Sequence, residues 1–129
     1  MTTWLKRGAV CGVAALTIAG AALAAAPTKN GLYIGKLTGR GLEKRVELDV
    51  AKSGKTATAG LWCANTPVAK LKPFPITKGR FDASKKVGSV TVWRLRGKFV
   101  TAKSIAVGLL LPSACDGVGG SFRLTLSSS

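Results

Sequence analysis

Three cations at alternate positions, Arg94, Arg96 and Lys98, are the residues best spaced to do chemistry in this chain. On a β-strand, a period of two puts all three on one face about 7 Å apart. That spacing suits the repeat of an extended polyanion, so an anionic envelope polymer, a lipid headgroup or a nucleic acid are the candidate ligands. A plain solvated face, or charge guarding a sheet edge, gives the same pattern. Lys70 and Lys72, set among Pro67, Pro73 and Pro75, form a second candidate: a protein-contact loop over 65–75, of the kind a protease inhibitor presents.

Catalytic chemistry is poorly served. The chain has no histidine, so neither a Ser-His-Asp nor a Cys-His arrangement can be assembled. Its acids are Glu43, Glu47, Asp49, Asp82 and Asp116. Glu47 and Asp49 fall on an outward strand face, in reach of basic cross-strand neighbours. Asp82 and Asp116 stand beside turns, where Asp caps backbone N–H groups. Gly117-x-Gly119-Gly120 lacks the Lys-Ser/Thr of a phosphate loop. The expectation is a non-enzyme with no cofactor and no metal, and the sequence carries no specific nucleic-acid motif.

The first residues are expected to serve export. Lys6 and Arg7 precede an uncharged run from Gly8 to Ala26, and Ala22-Leu23-Ala24 offers a small-x-small cleavage site. A signal peptide over 1–24 is the reading, with cleavage after Ala24 preferred and after Ala26 the alternative. An uncleaved leader would be the chain's one membrane attachment. Cys11 leaves with it. Removing Lys6 and Arg7 leaves 18 of the 20 basic residues against five acids, a net charge of about +13. Such a charge draws anionic partners and keeps a protein soluble.

Two cysteines then remain, Cys63 and Cys115, 52 residues apart. In an exported chain of about 105 residues they are expected as one disulfide. Closing that loop contributes roughly 4 kcal/mol in the chain-entropy view. The localisation that follows is secreted, or periplasmic and envelope-associated.

The elements that must hold these groups read as strands. After a flexible entry over 25–30, a single β domain is expected over 31–127, with 128–129 as a tail. Strands are expected over 32–37, 45–50, 56–63, 80–82, 89–100 (with a bend near Gly97), 104–111 and 122–126. Arg45 to Val50 alternates strictly, with Val46, Leu48 and Val50 on one face. Residues 104–111 are apolar throughout and read as a strand covered on both sides, with a helix as the competing assignment. About seven short strands indicate an all-β fold, an antiparallel β-sandwich or small open barrel. The disulfide is expected to tie the last strand and its loop to the hairpin of residues 45–63.

Gly31-x-Tyr33-x-Gly35, Pro75-Ile76 with Gly79-x-Phe81, Gly97-Lys98-Phe99-x-x-Ala102, and Ala106-x-Gly108 followed by a cysteine form an ordered set. The set resembles a group of small exported β-domains common in soil actinobacteria and related bacteria. The resemblance implies a β-sandwich or open barrel stapled at one end by its two cysteines, and it implies no activity. The chain departs from the group at Phe122-Arg123, where a tryptophan is expected.

Overall fold

A computed structural model describes residues 24–129. The expected leader up to residue 23, Cys11 included, lies outside the described residues. The described chain is all-β, with eight antiparallel strands in one sheet. They are β1 (Leu32–Leu37), β2 (Lys44–Val50), β3 (Thr56–Cys63), β4 (Thr66–Pro75), β5 (Arg80–Val87), β6 (Val90–Thr101), β7 (Ser104–Leu110) and β8 (Gly120–Ser128). The order across the sheet is β4-β3-β2-β1-β8-β7-β6-β5. Two four-stranded meanders thus join where β1 pairs with β8, and the sheet curls into a nearly closed barrel.

Period-two patterning aims the core inward. Val46, Leu48 and Val50 of β2 face Leu61, Ala59 and Ala57 of β3 in register, and all six are buried. Tyr33, Trp93, Leu95, Phe99, Ile105 and Leu124 fill the rest of the interior. A line of aromatic contacts crosses the barrel. Tyr33 meets Phe99 edge-on at 5.4 Å, Phe99 meets Phe81 at 6.2 Å, and Phe81 meets Phe74 at 5.3 Å. Such ring pairs contribute about 0.5–1.5 kcal/mol each beyond their buried area. The last of them spans β4 and β5, which are not bonded as ladder neighbours.

The expected loop over 65–75 is the edge strand β4. Its identity is masked by three prolines and by register slips opposite Ala57/Ala59 and Leu61/Trp62, which break the alternation that marks a strand. This raises the strand count from about seven to eight. Two further boundaries move. The short strand at 80–82 extends to Val87, so the turn lies at Gly88 (φ 63°) and not at residues 84–86. In β6 the register slips between Thr91 and Trp93, opposite Lys85/Lys86, and between Phe99 and Thr101, on either side of Gly97. The entry over 25–30 is tied to the barrel. Ala25 N donates to Phe99 O (2.8 Å), Thr28 Oγ1 donates to Ala102 O (2.9 Å), and the Tyr33 hydroxyl accepts from Thr28 N.

Gly97 stands opposite Phe81 in register, and a Cβ at position 97 would run into the Phe81 ring. The ring therefore occupies the space a side chain would take. Gly97→Ala is expected to cost about 1–3 kcal/mol through overpacking, measured by urea unfolding. An unchanged midpoint would contradict this placement of the ring.

Candidate functional site: a cationic groove on the outer face

Arg94, Arg96 and Lys98 do share the outer face of β6, but they are not equivalent. Asp82 of β5 stands opposite Arg96, yet its carboxylate accepts from Arg94 through both oxygens: Arg94 Nε donates to Oδ1 at 2.8 Å and Nη2 to Oδ2. Arg96 Nε lies 3.8 Å from the same carboxylate. The hydrogen bonds from Arg94 hold the Asp82 carboxyl below its ordinary range. Arg94 is therefore engaged in a bidentate pair with Asp82, which sets it apart from Arg96 and Lys98 on the same face. The turn-capping role expected for Asp82 is corrected, because Asp82 lies inside β5.

Arg80, on the neighbouring strand β5, adds a further cation to this face. Arg80 stands opposite Lys98, and Lys98 opposite Ala106 of β7. Residues 104–110 alternate, with Ile105, Val107 and Leu109 buried, so the expected two-sided cover is corrected to one. Ala106 and Gly108 point outward and are too small to fill their face. The result is a depression of about 630 Å³ over Ala106 and Gly108, bordered by Arg80, Arg96 and Lys98. A second depression of about 550 Å³ also borders on Arg96 and Gly108 and runs on to Arg40, Leu110 and the 117–120 glycines. The two depressions, which share Arg96 and Gly108 in their linings, make up the outer groove, with Arg80, Lys98 and Arg40 at its margins. Its acid, Asp82, is already neutralised by Arg94.

The far end of the groove is built by a buried ion pair. Lys44 opens β2 and is fully buried. It lies opposite Cys63 in register, beside the Cys63–Cys115 disulfide, whose Cα atoms are 5.9 Å apart. Its Nζ lies 2.8 Å from Asp116 Oδ1 and donates to the Arg40 carbonyl at 2.9 Å. Asp116 also accepts from Leu42 N (2.8 Å) and Val118 N (2.9 Å), the backbone cap expected of it. One carboxylate thus joins the β1–β2 loop, which carries Arg40, to the β7–β8 loop, which carries the glycines. The disulfide ties the β7–β8 loop to the β2–β3 hairpin as the sequence implied. Lys44 continues the inward phase of Val46, Leu48 and Val50, which is the signal in the sequence for its burial.

The other proposed pair is not brought to this groove. Lys70 and Lys72 are exposed on β4. Lys70 borders a small hollow beside Trp62, Glu47 and Asp49, while Lys72 faces Lys85 and Lys86 across the β4–β5 boundary. Glu47 pairs with Arg45 of its own strand at 3.0 Å, and the Arg45 guanidinium lies over the Trp62 ring at 4.5 Å.

The Asp116 carboxyl is held well below its ordinary 3.8, first by the hydrogen bond from Lys44 and then by those from Val118 and Leu42. A carboxyl depressed on folding binds its proton more readily in the unfolded chain. Its contribution is therefore complete above about pH 5 and drains as pH falls through the unfolded value toward the folded one. Thermal unfolding across pH should show stability falling below about pH 5. Asp116→Asn should flatten that part of the profile. By leaving Lys44 buried without its counter-ion, it should also lower the neutral-pH Tm by at least about 10 °C. Identical acid profiles for the two proteins would contradict the assignment.

No protein-family model, curated protein or solved structure matches the chain.

Proposed function

We propose that the protein is an exported, non-catalytic binding module that takes an anionic polymer of the cell envelope along the groove from Arg80 and Lys98, past Arg96, to Arg40. The observation that carries this reading is that two depressions share Arg96 and Gly108 in their linings. We read the two as one path with cations at its margins and the small residues Ala106 and Gly108 on its floor. An extended chain of negative charges is the ligand whose shape and charge match that path, and the excess of basic over acidic residues steers such a ligand toward the surface. The leader pattern supports export, and the disulfide fits an oxidising compartment. A binding role fits the carboxylates, since Asp82 and Asp116 are both spent on ion pairs.

Gly108 permits a direct test, because a Cβ at that position meets nothing within 4 Å. A side chain there fills the groove without disturbing the barrel. With inorganic polyphosphate as probe in about 150 mM salt, Gly108→Glu should weaken binding at least about tenfold while leaving the thermal unfolding midpoint near wild type. Arg96→Ala should weaken it and reduce the salt dependence. Undiminished binding by Gly108→Glu would remove the groove from consideration.

A further inference from the structure

The boundary between β4 and β5 is the one place where adjacent strands of the barrel are not joined by a ladder, and its backbone geometry says why. The two strands begin as a tight hairpin. Thr77 N donates to Arg80 O (2.9 Å) and Arg80 N to Thr77 O (3.1 Å), around Lys78 and Gly79 at positive φ. Just after β4, Ile76 N turns the other way, to Lys55 O (2.8 Å). Strand alternation then aims the nitrogen of Pro75 at β5, where it has no proton to give. The hairpin stops zipping after one pair. On β5, Arg80 turns both its backbone groups toward β4, so those of Asp82, Ser84 and Lys86 face the same way, with no ladder to meet them.

Between the diverging strands lies a cleft of about 300 Å³. Leu71, Phe74 and Ala83 are buried at its floor, and Lys72, Lys85 and Lys86 stand at its rim. We propose that this edge of β5 receives an extended acidic peptide of a protein partner as an added strand. The peptide's main chain would pair with Asp82, Ser84 and Lys86, its apolar residues would face the floor and its alternate acidic residues Lys72 and Lys86. Charge selects the occupant. A second copy of this chain, with its large excess of basic over acidic residues, would bring a like-charged surface to this edge. The rim therefore rejects self-association and admits an acidic strand.

The test uses a labelled peptide of alternating Glu and Val, seven residues long by design (about 23 Å extended), and a second peptide with proline at the central Val. Both carry the same charge. The alternating peptide should bind and should slow amide exchange at Ser84 by at least about tenfold. The proline peptide should bind at least about tenfold more weakly, and so should the alternating peptide to the Lys72→Glu/Lys86→Glu variant. Gly108→Glu should bind the alternating peptide as wild type does, which separates this edge from the outer groove. Equal binding of the two peptides would overturn the proposal, and so would loss of binding in Gly108→Glu. Protection of Ser84 that arises from self-association in the absence of peptide would overturn it as well.

Discussion

A single carboxylate, that of Asp116, sets the shape of one end of this barrel. It takes the Lys44 ammonium and the N–H groups of Leu42 and Val118. Lys44 spends a further donor on the Arg40 carbonyl. A lysine buried to this degree is costly unless each of its hydrogen bonds is made and its charge is met. The two loops are therefore not free to adjust independently. The neighbouring Cys63–Cys115 bond fixes the same loop to the end of β3, so the ion pair works within a geometry that is already confined. Arg40 and the 117–120 glycines, which end the outer groove, owe their placement to this junction.

The opposite side of the barrel is governed by a missing donor. Pro75 cannot bond to β5, and β4 and β5 are held together below that point by Phe74 against Phe81. Packing closes the core there while the backbone stays unpaired. Lysines at the rim are the usual guard for such an edge. The barrel thus presents two basic surfaces of different kind. One is the outer groove bordered by Arg80, Arg96, Lys98 and Arg40, and the other is an unpaired strand edge rimmed by Lys72, Lys85 and Lys86.

Most of the fold was legible because one-sided burial imposes period two, and β2, β3 and β8 keep it. The failures have physical causes. In β4 the inward residues Leu71 and Phe74 are three apart because a bulge intervenes opposite Ala57/Ala59, so neither proline content nor alternation marks a strand. In β7 an apolar run cannot say which face is packed, and the outward set is small (Ala106, Gly108) with Leu110 half exposed. The site was legible only in part. Arg96 and Lys98 follow from spacing within β6. The capture of Arg94 depends on Asp82 across a hairpin whose first strand read as too short. Arg80 and Arg40 arrive through strand order and loop closure, which spacing along the chain does not encode.

The central claim is that net charge has been gathered into one path by glycines and neighbouring strands, and is not merely spread over the lysine-bearing turns. Amide chemical shifts of isotope-labelled protein, followed while polyphosphate is added, test this most directly. The account requires the largest shifts at Arg40, Arg96, Lys98, Gly108 and Gly120, with little change at Glu47, Trp62 and Lys70. Shifts spread evenly over Lys52, Lys55, Lys70 and Lys85, or centred on Trp62, would contradict it.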